Sequence, residues 1–241
     1  MRIPRIYIDK PITANANLDL DGPTAHYLLK VLRMESGREL ILFNGKGGEY
    51  SAVIESAGKK NVFCKVGKHN TRESESSLQT ELAIGISRGD RMDWVLQKAT
   101  ELGVSRIIPL FADRSEVKLK GERLEKKMQH WQQILISACE QCTRNTLPTL
   151  LPACPLDEYL ASTQAEQKFV LHHRTHKKLR DITKPKSAAL LIGPEGGLTD
   201  NEIQNAERKG FNALALGPRI LRTETAPIAA LSILQFVWGD V

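Results

Sequence analysis

No stretch of the 241 residues approaches the roughly 18 consecutive apolar residues of a membrane-spanning helix. The opening Met1-Arg2-Ile3-Pro4-Arg5 lacks the apolar run of a secretory signal, so a cytoplasmic protein with no membrane partner is expected. Cysteine is scarce: Cys64, Cys139, Cys142 and Cys154 make no disulfide framework in a protein without a signal. Cys139-Glu-Gln-Cys142 has C-x-x-C spacing, but it falls inside a helical pattern and no second pair completes a zinc site. Buried, inert thiols and no bound metal are the expectation. There is no G-x-x-x-x-G-K-[ST] loop and no G-x-G-x-x-G after an early strand, so the familiar nucleotide loops do not match. No period of roughly 20–50 residues repeats, which excludes a solenoid.

What is present is a globular composition, 41% hydrophobic and 26% charged, long enough for one large domain or two modest ones with a core that needs no staple. The net charge is +6, which suits a polyanionic partner without requiring one. Its distribution says more. Residues 1–70 hold 11 basic and 7 acidic side chains, so most of the excess lies in the first third of the chain.

The clearest boundary is the polar stretch Thr71-Arg-Glu-Ser-Glu-Ser-Ser77. Before it, alternation predicts strands over 5–9, 39–43, 49–54 and 61–66, with the turn Asn44-Gly-Lys-Gly-Gly48 joining the middle pair. Only residues 25–33 read as helix, so a small barrel with one helix is expected. After the boundary, strands alternate with helices, as in a mostly parallel sheet. A strand over 82–86 leads to a helix starting near Asp90, with Met92, Val95, Leu96, Ala99 and Leu102 on one face and Gly103 as its stop. A strand over 106–111 precedes a long helix whose stripe of Leu124, Met128, Trp131, Leu135, Ala138 and Cys142 is most simply core, or else a seam for a second subunit. Lys118, Lys120, Arg123, Lys126 and Lys127 open that helix, a solvated face by default and an RNA contact as the alternative. His172, His173 and His176 cluster without an acidic partner and are not expected to hold a metal.

Two segments near the C-terminus carry the chemistry. In the first, the apolar strand ending at Ile192 runs into Gly193-Pro-Glu-Gly-Gly197, and Thr199 and Glu202 have capping-box spacing for the helix that follows. Glycines at a strand's C-terminal end let backbone approach a ligand, and open α/β sheets bind ligands there. In the second, Leu214-Ala-Leu-Gly217 is followed by the polar loop Pro-Arg-Ile-Leu-Arg222-Thr-Glu224-Thr225-Ala226, and Pro227 suits a first helical turn. Back to back, the two units make a composite pocket plausible.

These two segments, together with Asp90-Arg-Met-Asp-Trp-Val-Leu-Gln-Lys-Ala-Thr-Glu-Leu-Gly103, closely resemble the small-subunit ribosomal RNA uridine-N3 methyltransferase family of the SPOUT class. Arg5, His26-Tyr-Leu-Leu-Lys-Val-Leu-Arg33 and Phe43-Asn-Gly-Lys-Gly-Gly-Glu-Tyr50 resemble its PUA-like RNA-binding domain. The resemblance covers essentially the whole chain. It implies an α/β fold with two domains: a PUA-like β-barrel over 1–72, and a SPOUT domain over 73–241 with a parallel sheet and a deep trefoil knot. It further implies a homodimer that holds S-adenosylmethionine in the knot and methylates N3 of one uridine of 16S RNA in the assembled 30S subunit. The matching cofactor positions are Leu171, Gly193, Glu195, Gly196 and Gly197, then Leu216, Gly217, Ile220, Leu221, Thr225 and Ala226. Leu198 stands where the family commonly has an aromatic residue, a change that bears on packing more than on activity.

Attack by uracil N3 requires loss of a weakly acidic proton, which a carboxylate can accept while a cation stabilises the anion. Arg222 and Glu224, on the loop beside the expected cofactor site, are the leading catalytic pair. Glu195 and the 140–144 segment are second choices. Arg5, Arg33 and Arg144 are the expected RNA contacts. A transfer-RNA methyltransferase of the same class and a non-enzymatic RNA-binding assembly factor are the alternatives.

Overall fold

Leu40 and Leu42 on one segment and Ala52 and Ile54 on the next are buried, and the structure pairs these segments as antiparallel strands. The structure is a computed structural model that describes residues 3–171, 179 and 182–241. Two compact units emerge, residues 1–75 with 139–147, and residues 76–138 with 148–241.

In the first unit, β1 (Arg5–Tyr7), β2 (Asn17–Leu20), β3 (Glu39–Phe43), β4 (Glu49–Ala57) and β5 (Val62–Asn70) form a half-barrel in the order β1-β3-β4-β5-β2. β1 runs parallel to β3, whereas the other pairings are antiparallel. Ile6, Leu20, Leu28, Leu42, Ile54 and Val62 form its core. The single helix expected over 25–33 is α1 (Gly22–His26) running directly into a π-helical turn, Tyr27–Val31. The Leu32 amide donates to Tyr27 O at 3.0 Å and the Met34 amide to Leu28 O at 2.9 Å, across Arg33 at φ 51°. The widened turn lets Leu28 and Met34 both enter the core, which a regular α-helical end would not do.

In the second unit, β6 (Gln79–Gly85), β7 (Arg106–Phe111), β8 (Thr149–Leu150), β10 (Gln167–Leu171), β11 (Ser187–Ile192) and β12 (Asn212–Leu214) lie in the order β12-β10-β11-β6-β7-β8, and β9 (Cys154–Pro155) also pairs with β7. Every pairing among them is parallel. A parallel sheet is covered on both faces, which is why β11 reads Ser-Ala-Ala-Leu-Leu-Ile with no polar alternation. Leu82, Ile84, Leu190 and Phe169 face α2 (Asp90–Glu101), α3 (Glu122–Cys142) and α6 (Thr225–Trp238). Ala83, Leu191 and Val170 face α4 (Leu156–Ser162) and α5 (Asp200–Arg208).

Along the α3 stripe, Trp131, Leu135 and Ala138 are buried, so its middle is core. Burial pushes the Cys139 thiol up to about 12, the behaviour of an inert group. Among the described residues no three His, Cys, Asp or Glu side chains come together as metal ligands, and His172, His173 and His176 lie outside the described residues. Gln235 is buried on α6, accepting from Ser76 Oγ at 2.7 Å and donating to Leu102 O at 3.0 Å. Those two bonds fix α6, and with it the loop that precedes α6.

Candidate active site

The C-terminal ends of β10, β11 and β12 meet at a cavity of about 380 Å³, within the range of small-molecule sites. Two loops close it. The first, 193–199, links β11 to α5, and its far end is fixed by a complete capping box. The Glu202 amide donates to Thr199 Oγ1 at 3.2 Å, and the Thr199 amide donates to Glu202 Oε2 at 2.7 Å. The other oxygen, Glu202 Oε1, accepts the Asp113 amide at 2.9 Å, so the cap also ties α5 to the loop after β7. The second loop, 215–224, links β12 to α6. The Arg222 carbonyl accepts the Thr225 and Ala226 amides, each at 2.9 Å, which fixes the start of α6.

Two glycines owe their identity to close packing. A Cβ on Gly196 would lie 2.9 Å from Arg114 Cβ, while the Arg114 guanidinium donates to Gly196 O at 3.2 Å. A Cβ on Gly85, at the end of β6, would overlap Pro194 N. Gly85 thus lets the first loop lie against β6, although nothing in the sequence separates it from any other strand-end glycine.

Of the positions expected to hold the cofactor, Leu171, Gly193, Glu195 and Gly197 line the cavity from one side. Leu216, Gly217, Ile220, Leu221 and Ala226 line it from the other. Gly196 and Thr225 are exposed beside the cavity without lining it. Ile220 is 95% exposed, an apolar side chain at the rim for a ligand to cover. Arg114, Asp200, Arg219 and Thr223 also line the cavity and were not anticipated, since only the tertiary fold brings Arg114 here. Leu198, the position of the departure from the family pattern, is buried with Ala206 and Phe211, where a smaller side chain still packs.

Glu195 is held on one oxygen: Oε1 accepts the Arg88 amide at 2.8 Å and Arg91 Nη1 at 3.1 Å. Burial works to raise this carboxyl, but those bonds, its own amide and the Arg91 charge outweigh it and hold it below the usual carboxylate range. Glu224, the residue before α6, is half-buried with Oε2 4.0 Å from Arg91 Nε. Arg222 is exposed, and among the described residues its guanidinium has no hydrogen-bond or ion-pair partner. Glu140, a second choice for the proton acceptor, has Oε1 engaged by the Tyr7 amide at 3.0 Å, and burial raises its carboxyl.

The expected RNA contacts need correction. Arg5 is 8% exposed: Nη1 is paired with Glu49, and Nη2 donates to Asn145 Oδ1 at 2.6 Å. Arg144 is 3% exposed and forks onto Glu75 through Nε at 2.9 Å and Nη2 at 2.6 Å. Guanidiniums so enclosed are internal ion pairs of the first unit, not groups offered to phosphate. Arg33 alone of the three is exposed, and it sits at positive φ just past the π-helical turn.

Comparison with known proteins matches the family model of the RNA methyltransferase domain to residues 74–235 and that of the RNA methyltransferase PUA domain to residues 20–67. A methyltransferase of Legionella pneumophila, solved in complex with the bound cofactor SAM, is similar with a TM-score of 0.97 and 43% identity over 100% of both chains. A ribosomal RNA small subunit methyltransferase E from Neisseria gonorrhoeae, bound to S-adenosyl methionine, is similar with a TM-score of 0.92 and 39% identity over 99% of each chain. The ribosomal RNA small subunit methyltransferase E of Buchnera aphidicola subsp. Acyrthosiphon pisum is 34% identical, over 99% of this chain and 95% of its own.

Proposed function

The chain belongs to the ribosomal RNA small subunit methyltransferase E family, and on that premise we propose that it methylates N3 of one uridine of 16S rRNA in the 30S subunit, using S-adenosylmethionine. The observation that carries this reading is the cavity at the ends of β10, β11 and β12, which gathers nine of the eleven cofactor positions read from the sequence.

The residues present fit the cofactor. Leu171, Leu216 and Leu221 give apolar wall, Gly193 and Gly217 bring backbone to the surface, and Glu195 Oε2 is a buried acceptor still without a donor. When bound, S-adenosylmethionine supplies an electrophilic methyl group on a sulfonium. Arg222 presents its planar fork to a uracil carbonyl, which favours the N3 anion, and Glu224 accepts the N3 proton. Holding N3 in line with the methyl group accounts for much of the acceleration. Loss of the N3 proton balances loss of the sulfonium charge.

In this reading the enzyme is a cytoplasmic homodimer. Trp94 on α2 and Ile233 and Phe236 on α6 are exposed large apolar side chains, which supports a second copy docking there. Among the described residues no helix is long and apolar enough to cross a membrane. The deep trefoil knot belongs to the same reading, supported by β11 lying between β6 and β10 while β12 lies beyond β10. Residues 1–72 serve as the RNA-binding domain, with Arg33 as the surface cation, and 73–241 as the methyltransferase domain.

Calorimetric titration with S-adenosylmethionine tests the cofactor assignment. Wild type binds, and Gly196→Val, which drives a side chain into Arg114, binds at least about tenfold more weakly while keeping its circular dichroism spectrum. A folded Gly196→Val variant of unchanged affinity would remove this loop from the site.

A further inference from the structure

Arg91 occupies the first turn of α2, where a cation opposes the helix dipole. Its guanidinium contacts the carboxylates of both loops that close the cavity: Nη1 lies 3.1 Å from Glu195 Oε1, and Nε lies 4.0 Å from Glu224 Oε2. Glu195 Oε1 receives a second bond from the Arg88 amide, so its carboxylate has a fixed orientation. The other oxygen, Oε2, is buried and has no hydrogen-bond partner among the described residues. Native proteins rarely leave a buried carboxylate oxygen unpaired, and such an atom calls for a reason. Glu195 lines the cavity, which supplies one.

We infer that Arg91 is a positioning residue that holds Glu195 so that Oε2 accepts an N–H or O–H donor of the ligand in the cavity, and that couples this loop to the Glu224 loop. The inference rests on the cofactor assignment above and deepens it, since amino and hydroxyl donors of S-adenosylmethionine are the chemistry that Oε2 lacks. Arg91 is not itself in contact with the cavity. Its effect passes through the carboxylates. Because Oε1 stays ionised and doubly held, Oε2 is offered as a charged acceptor, and charged acceptors make the stronger hydrogen bonds. The simpler alternative is a surface ion pair. The Arg91 side chain is 45% exposed, and a pair of that kind contributes little by itself.

The two differ in what Arg91→Ala does to ligand affinity. S-adenosylmethionine binding is measured by calorimetry on wild type, Arg91→Ala, Arg91→Lys, Glu195→Gln and the Arg91→Ala/Glu195→Gln double variant, with the melting temperature of each free protein alongside. Positioning predicts that Arg91→Ala weakens binding about tenfold, that lysine restores only part because it cannot reach both carboxylates, and that the free protein melts within about 2 °C of wild type. It also predicts a double variant no weaker than Glu195→Gln within about twofold, because both changes remove one interaction. Wild-type affinity in Arg91→Ala, or losses that multiply in the double variant, overturns the inference. Glu195→Gln, which preserves side-chain volume, carries the test from the other partner if Arg91→Ala does not fold. A wild type that fails to bind S-adenosylmethionine overturns the cofactor assignment instead.

Discussion

Arg222→Ala lowers the single-turnover rate of 30S methylation about a hundredfold or more, whereas affinity for S-adenosylmethionine changes by less than about threefold. The loop backbone is fixed where the Arg222 carbonyl accepts two amides of α6, so truncating the side chain leaves the turn in place. The guanidinium is exposed and unengaged among the described residues, so no internal ion pair is broken either. What is lost is a fork that can meet a uracil carbonyl, an interaction that strengthens as N3 becomes anionic. Arg222→Lys recovers part of the rate, since a point charge supplies the field without the paired geometry. A near-normal rate for Arg222→Ala, measured with saturating cofactor and enzyme in excess, removes Arg222 from the mechanism and leaves Glu224 as the next residue to change.

The second large effect falls on stability. Arg5→Met destabilises the first unit by about 3 kcal/mol, the low end for breaking a buried ion pair. The change deletes the Nη1 pair with Glu49, the 2.6 Å bond to Asn145 Oδ1 and the 3.4 Å bond to Arg144 O. Glu49 keeps two partners, Arg72 Nη2 at 3.2 Å and Asn70 Nδ2 at 3.2 Å, which limits the loss. Trp94, Trp131 and Trp238 all lie in the second unit, so tryptophan fluorescence does not follow this event. Hydrogen exchange of the β3, β4 and β5 amides does, and their protection should fall about a hundredfold while cofactor binding persists.

The same network has a pH signature. Burial works to raise the Glu49 carboxyl, but the Arg5 and Arg72 bonds outweigh it and hold its pKa below the usual range. Its stabilising contribution is therefore complete above the unfolded pKa of roughly 4.3 and is lost as pH falls through the lower folded value. Glu49→Gln should flatten the loss of β4 and β5 protection below about pH 4. Wild-type protection in Arg5→Met would mean that Arg5 is not part of the core and would return it to the RNA surface.

What the sequence displayed most clearly were local devices. Gly193, Gly197, the Thr199–Glu202 cap and Pro227 act within a few residues of themselves, and each stands where the chain order placed it. The apolar run of β11 marked a strand buried on both faces for the same reason. What the sequence hid depended on distant partners. Arg5 reads as a surface cation in a basic segment until Asn145, 140 residues away, accepts from it. Residues 139–147 join the first unit only through such long-range bonds, as when the Thr143 carbonyl accepts Arg72 Nη2 at 3.1 Å. Gly85, Arg114 and Arg91 likewise acquire roles from residues some 80–110 positions further on. The π-helical turn escaped for a different cause: residues 25–33 are helical in propensity, and the widening comes from burying Leu28 and Met34 together.

The central claim, that the cavity serves methyl transfer to N3 of a 16S rRNA uridine, is tested most directly by supplying wild type with methyl-labelled S-adenosylmethionine and three substrates: 30S subunits lacking the modification, protein-free 16S rRNA and bulk tRNA. Nuclease digestion and mass spectrometry then locate the label. The account predicts stoichiometric labelling of one uridine at N3 in the 30S particle, with little or none in naked rRNA or tRNA. Label in tRNA, or on another atom of the base, would contradict the substrate assignment, and no label in any RNA despite cofactor binding would make the protein an assembly factor rather than an enzyme.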